Sequence, residues 1–143
     1  MKDSLTVGCT STILRSVRSF VSDVLIKIGL SDLDVNMLVL AVDEVCSNLI
    51  IHSHSCNPER HITLEIRTDE EGIYFDIMDE GKLFNFMNYE EPTIDQLVQD
   101  QRKGGMGIIL VKRIMDNIEF FRDENRNVIR LYKKFSGKMA SSA

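Results

Sequence analysis

Residues 38–52 read LVLAVDEVCSNLIIH, an apolar run that polar side chains interrupt at regular intervals. Glu44, Asn48 and His52 follow one another at steps of four residues, so on a helix they share one stripe. A carboxylate or an amide on such an apolar helix needs a partner or water, because burying it unpaired costs on the order of 1 kcal/mol or more. The stripe therefore indicates either the floor of a ligand-binding cleft or the solvated face of an amphipathic helix.

Periodic segments surround this stretch on both sides. The apolar spacing predicts a helix from about Ser11 to Ile28 that Gly29 ends, and a central helix to about Ser53 capped by Asp32 or Asp34. Further predicted elements are strands over Leu5–Cys9, His61–Thr68, Ile73–Met78, Ile118–Arg122 and Asn127–Lys134, and a helix over Met106–Asp116. This order is typical of an α+β fold, a two-layer α/β sandwich in which helices cover one face of a mostly antiparallel, mixed sheet.

Composition limits the classes of function. The chain has 143 residues, which predicts one domain over 1–135 followed by a flexible tail over 136–143. Its net charge of −5 and the absence of a basic cluster argue against nucleic-acid binding. No run approaches the ~20 apolar residues of a membrane span. Three irregularly spaced cysteines fit a reducing compartment, so we expect a cytoplasmic protein.

Two glycine-containing motifs complement the helical stripe. Asp79-Glu80-Gly81 ends a predicted strand, where a carboxylate is able to accept a hydrogen bond from a ligand amine such as that of adenine. Lys103 precedes Gly104-Gly105-Met106-Gly107 at the start of the third predicted helix, where backbone N–H groups and the helix dipole favour phosphate. Each motif alone also fits a plain structural role, an Asp-Glu-Gly turn or a hinge before a helix.

The residue types on the stripe suit phosphoryl transfer. Glu44 is able to accept a proton from an attacking hydroxyl, and Asn48 offers a neutral oxygen to a hard cation such as Mg²⁺. His52 completes the set of candidate nucleotide-binding residues.

The order of the motifs resembles a known family. Residues 43–52 resemble the N-box of the GHKL (Bergerat-fold) ATPases, Asp79-Glu80-Gly81 the adenine-binding D-x-G element, and residues 103–107 the glycine box after the ATP lid. The similarity is greatest to the bacterial anti-sigma-factor serine kinases and covers about residues 5–134.

The resemblance implies a role for each motif. Glu44 is then the catalytic base, Asn48 the Mg²⁺ ligand, Asp79 the adenine-binding carboxylate, and Lys103 a phosphate-binding cation after a lid over residues 82–103. It also implies a homodimer that phosphorylates an anti-sigma antagonist of the STAS type and holds a sigma factor in another state.

Two departures leave alternatives open. Leu83 stands where a second glycine is usual, and residues 126–131 read RNVIRL where the family often has Gly-Thr-Thr, which implies weaker adenine binding. The alternatives are a non-catalytic nucleotide-binding module that sequesters a regulator, and a detached histidine-kinase catalytic domain. The absence of a preceding phosphoacceptor helix argues against the second.

Overall fold

The computed structural model describes residues 1–8, 12–53, 61–79 and 105–135, with the backbone alone for 49–53 and 105–108. The elements, in chain order, are β1 (Lys2–Gly8), α1 (Ile13–Ile28), α2 (Asp32–Ser53), β2 (His61–Thr68), β3 (Gly72–Asp79), α3 (Gly105–Ile114), β4 (Asn117–Asp123) and β5 (Arg126–Lys134). The predicted tail and lid lie outside the described residues.

The five strands form one sheet in the order β1-β2-β3-β5-β4. Every pairing among the described strands is antiparallel, where the sequence predicted a mostly antiparallel, mixed sheet. On the central strand β3, the face toward the helices carries Ile73, Phe75 and Ile77, and all three side chains are fully buried. The predicted α+β architecture is confirmed.

One hydrophobic core lies between the sheet and the helices, and α2 packs against both α1 and α3. The core is built from apolar side chains at helical spacing on α1 and α2 and at alternate positions of β2, β3 and β5. Its helical members include Val17, Val21, Val24, Leu25, Leu38, Ala41, Val42, Val45 and Cys46, and its strand members include Ile62, Leu64, Ile66, Ile73, Phe75, Ile77, Ile129 and Leu131.

Helix ends follow local chemistry. Gly29 ends α1 with a φ of 97°, in the left-handed region that favours glycine, as predicted. The predicted cap of α2 is wrong: its first intrahelical bond runs from the Val35 N–H to the Ser31 carbonyl, which makes Ser31 the N-cap. The Ser31 hydroxyl accepts from the Asp34 N–H at 3.2 Å and donates to the Asp34 carboxylate at 2.9 Å. Asp32 is already within the helix and so does not have the extended backbone of a cap.

Some elements begin or end at other residues than predicted, because backbone hydrogen bonds to neighbouring strands set their bounds. β1 begins at Lys2 rather than Leu5, because Lys2 pairs with Arg67 at the far end of β2. Helix α3 ends at Ile114 rather than Asp116, because the Asp116 N–H donates to the carbonyl of Tyr132 at 2.8 Å and leads into β4.

The face of the sheet that points away from the helices carries a buried carboxylate. Asp76 on β3 has only 7% of its side chain exposed. Arg130 of β5 donates to it from Nε at 2.8 Å and from Nη2 at 3.1 Å, and Arg67 of β2 donates at 3.3 Å. The Arg67 guanidinium also lies 4.5 Å above the centre of the Tyr74 ring. Arginines from both neighbouring strands thus cover and neutralise Asp76.

Candidate functional site

Helix α2 places Glu44 and Asn48 at the margin of the core. Both side chains are partly exposed, while Val45 and Cys46 between them are buried, at 5% and 0% exposure. The burial follows from helical periodicity, because the apolar residues face the sheet and the steps of four keep Glu44 and Asn48 together on another face. The predicted stripe therefore exists as far as Asn48, and the side chain of His52 lies outside what the structure describes.

The surroundings of Glu44 disfavour its charged form. Partial burial, and secondly the neighbouring carboxylate of Asp43, raise the pKa of Glu44 above its usual value. Asp43 is itself held by Arg18 of α1, whose Nη1 lies 3.0 Å from Asp43 Oδ1. A carboxyl group whose pKa is shifted toward neutrality is a better proton acceptor near pH 7 than an ordinary glutamate.

A pair of polar residues lies at one end of the two central strands. Asp79 continues the helix-facing set of β3, is 1% exposed, and stands opposite Asn127 in the register of β3 and β5. Asn127 is 6% exposed, and its side-chain oxygen accepts a hydrogen bond from Arg122 Nη1 at 3.1 Å. Buried polar groups are hydrogen-bonded, and a few such groups in a pocket fix the orientation of a ligand and give the pocket its specificity.

Sequence reasoning singled out Asp79 and missed Asn127 as a site residue. The sequence does contain a signal for it: Asn127 is in phase with Ile129 and Leu131, so it is a polar residue on the core-facing side of a strand. Asp79 shows the same signal, being in phase with Ile77.

The glycine motif begins helix α3. The helix starts at Gly105, so Gly105, Met106 and Gly107 form its first turn, and the helix packs against α2. The first N–H groups of a helix have no partner within the helix itself, and the positive end of its dipole lies at this terminus, as a phosphate-binding helix requires. Gly81, Lys103 and Gly104 lie outside the described residues, so their roles stay predictions.

Cys46 takes no part in such chemistry. Its side chain is fully buried, and burial, reinforced by Asp43, raises the pKa of the thiol to about 12. The thiolate is the nucleophile and metal ligand, and at this pKa it is essentially absent at neutral pH. Cys46 is a core residue.

The fold and these groups define a class of protein. An antiparallel sheet covered on one face by helices carries a buried carboxylate at a central strand end, a glycine-led helix start and a helix bearing Glu44 and Asn48. These are the parts expected of a nucleotide-binding α+β domain. The chain belongs to the histidine kinase-like ATPase domain family, whose model matches residues 10–133.

Curated relatives in this family are protein kinases and anti-sigma factors. The chain is 27% identical over 135 residues to the serine-protein kinase RsbW of Halalkalibacterium halodurans, covering 92% of this chain and 81% of the relative. It is 27% identical over 95 residues to the anti-sigma F factor of Clostridium perfringens, covering 66% of this chain and 67% of that protein. The expected resemblance to anti-sigma-factor serine kinases is confirmed.

Solved structures share the fold. The RsbU and RsbW domains of Rv1364c from Mycobacterium tuberculosis match with a TM-score of 0.65 and 14% identity, over 93% of this chain and 32% of that one. The SiaB-SiaC complex from Pseudomonas aeruginosa matches with a TM-score of 0.58 and 9% identity, over 93% of this chain and 89% of the matched chain. At these identities the likeness shows the fold alone.

Within the described residues, none of the helices combines the length and apolar content that crossing a bilayer requires.

Proposed function

We propose that this protein is a cytoplasmic, Mg²⁺-dependent protein-serine kinase that transfers the γ-phosphoryl group of ATP to an anti-sigma antagonist of the STAS type. The observation that carries the proposal is the state of Glu44, a carboxyl group with a raised pKa four residues before Asn48 on a partly exposed helix face. The serine-protein kinases among the relatives support the same reaction.

The residues present fit Mg²⁺ and ATP. Asp79 is a buried carboxylate at a strand end, suited to accept from the amino group of adenine. Asn48 offers an amide oxygen, a ligand type that Mg²⁺ accepts beside phosphate oxygens and water. The first turn of α3, from Gly105, provides backbone donors for phosphate.

Glu44 performs the proton transfer in this proposal. Bound ATP supplies the phosphoryl group, with Mg²⁺ neutralising its charge. Glu44 accepts the proton of the substrate serine as the serine oxygen bonds to the γ-phosphorus and the bond to the ADP oxygen breaks. The proton ends on Glu44 and then passes to solvent, so the base is regenerated.

Two substitutions on α2 test these roles. Glu44→Gln is expected to keep Mg·ATP binding but to lower phosphate transfer by at least about 100-fold, because general-base catalysis contributes on this scale. Asn48→Ala is expected to abolish calorimetric Mg·ATP binding, with the exposed Asn36→Ala of the same helix as matched control. The assay is transfer from γ-labelled ATP to each purified STAS-domain protein of the source organism.

The outcomes separate the kinase from its alternative. ATP binding without transfer to any of these proteins identifies a nucleotide-binding module that sequesters its partner. Transfer that persists in Glu44→Gln removes Glu44 as the base.

Assembly is part of the proposal. We infer a homodimer that binds a sigma factor when the antagonist is absent or phosphorylated, in line with the anti-sigma F factor among the relatives. Sedimentation equilibrium of the purified chain, alone and with each sigma factor of the source organism, tests both points. A monomer at micromolar concentration contradicts the first.

A further inference from the structure

Three exposed apolar side chains form a stripe on α2. Leu33, Met37 and Leu40 are 69%, 38% and 43% exposed, and their spacing of four and three residues puts them on one helix face. Among the described residues, only Met1 and Ile26 are other large apolar side chains with comparable exposure. These three residues, called here the α2 apolar stripe, are therefore a cluster and not scattered surface positions.

The opposite face of the same helix is also apolar. Val35, Leu38 and Val42 are at most 4% exposed and face the sheet. A helix that has a second apolar face is normally covered on that face as well. The described part of the chain thus leaves the α2 apolar stripe uncovered, and contiguous exposed apolar surface of this kind marks a binding site.

The stripe leads directly to Glu44. Glu44 follows Leu40 by four residues and Met37 by seven, so it continues the same face. At about 1.5 Å of rise per residue, Leu40 lies about 6 Å and Leu33 about 16 Å along the helix from Glu44. A protein serine that brings its hydroxyl within hydrogen-bond reach of Glu44 must bring its own surface over this part of α2.

We propose that the α2 apolar stripe is the docking surface for the protein that presents the serine. The inference deepens the proposed function and rests on it. The partner surface has apolar side chains that cover Leu33, Met37 and Leu40. It also carries lysine or arginine at the Leu33 end, because Asp32 and Asp34 flank that residue and the chain has a net charge of −5.

The test removes apolar surface without changing charge or helix propensity. The double variant Leu33→Gln/Met37→Gln leaves Leu40 and Glu44 intact, and Ile26→Gln, at an equally exposed apolar site on α1, is the matched control. The probes are the purified, unphosphorylated STAS-domain proteins of the source organism. Their affinity is measured by calorimetry in the presence of Mg·ATP, and their KM and kcat by label transfer.

The double variant is expected to raise the Kd and KM for the STAS protein at least about tenfold, with kcat, Mg·ATP affinity and Tm unchanged, and Ile26→Gln is expected to change none of these. Equal Kd and KM in the double variant and the wild type overturn the docking surface while leaving the kinase proposal intact. If the double variant sediments with a different mass from the wild type and has the same Kd, the stripe is a contact between two copies of the chain. That outcome also overturns the docking surface. If no STAS protein binds the wild type, the docking surface fails together with the proposed substrate.

Discussion

Glu44 combines a structural disadvantage with the catalytic role proposed for it. Because burial and Asp43 raise its pKa in the folded state, the ionised side chain is less favourable in the protein than in the unfolded chain. At pH values above the ordinary glutamate pKa, the unfolded chain releases this proton more readily than the folded protein does. The raised pKa therefore lowers the free energy of unfolding at those pH values. Such a cost is typical of functional sites, where activity and stability compete.

The pH profile of phosphate transfer tests this arrangement. Glu44 must be ionised to act as a base, so activity falls as the pH drops through its raised pKa. Asp43→Asn removes the neighbouring negative charge that helps to raise the Glu44 pKa, so this pKa is expected to fall. The acid limb of kcat is therefore expected to move to lower pH. Asp23→Asn, an equal charge change at an exposed site on α1, is expected to leave the limb in place. Identical profiles for wild type and Asp43→Asn would contradict this electrostatic account.

At the scale of elements, the β2–β3 hairpin depends on a glycine for close approach. The Asp69 carboxylate accepts from the N–H groups of Glu71 and Gly72 at 2.8 and 2.9 Å, which closes the turn. A Cβ on Gly72 would meet the backbone carbonyl of Lys133 and the ring of Tyr132 on β5. The turn and the β3–β5 pairing thus both rely on this position.

Gly72→Ala is expected to destabilise the protein by about 2 kcal/mol, because the clash involves backbone that cannot rotate away. Urea unfolding measures the loss, and Glu71→Ala, at an exposed position in the same turn, is expected to change the free energy of unfolding by less than about 0.5 kcal/mol. A Gly72→Ala variant as stable as the wild type would show that β5 moves aside freely.

The buried carboxylate on the outer face of the sheet connects three strands. Asp76→Ala leaves Arg67 and Arg130 without their shared partner, and both arginines keep access to water at 33% and 31% exposure. We therefore expect the free energy of unfolding in urea to fall by about 2 kcal/mol, less than the roughly 3–5 kcal/mol for breaking a fully buried ion pair. Glu119→Ala, on the exposed surface of β4 opposite Arg130, is the control and is expected to cost less than about 0.5 kcal/mol. Equal losses in the two variants would show that the burial of Asp76 is energetically unimportant.

At the scale of the whole molecule, the proposed nucleotide site is built from the sheet, α2 and α3, which are distant from one another in sequence. Binding to the folded state alone stabilises it by about 2.7 kcal/mol at 100 times the Kd, which corresponds to a rise in Tm of roughly 5–10 °C for a domain of this size. Asp79→Asn is expected to remove most of the rise produced by Mg·ATP, because the amide keeps a single, uncharged acceptor oxygen and puts an NH2 donor in place of the other carboxylate oxygen.

The quantity to compare is the rise in Tm on adding Mg·ATP. The absolute Tm is not used, because Asp79 is buried and its substitution changes the Tm by itself. Asp123→Asn, at the exposed end of β4, is the control. If Mg·ATP raises the Tm of Asp79→Asn as much as it raises that of the wild type, Asp79 does not bind adenine.

Much of the fold was predictable, because secondary structure depends on patterns within a single segment. The step of four residues put Glu44 and Asn48 on one face of α2, and alternation identified β2, β3, β4 and β5 among the five described strands. The position of Asp79 at a strand end was equally visible. These features depend on backbone geometry and on which residues are apolar, and both are written along the chain.

Other features required the tertiary structure. The alternation of β5 puts Asn127 on the core-facing side, but only the strand order shows that it lies opposite Asp79, and Asp76 is buried because arginines from two neighbouring strands cover it. The exposure of Leu33, Met37 and Leu40 likewise depends on how α2 is oriented between α1 and α3. The sequence by itself determined the elements and their apolar faces, while burial and partnership of the polar groups were decided by contacts between segments far apart in the chain, which no local pattern encodes.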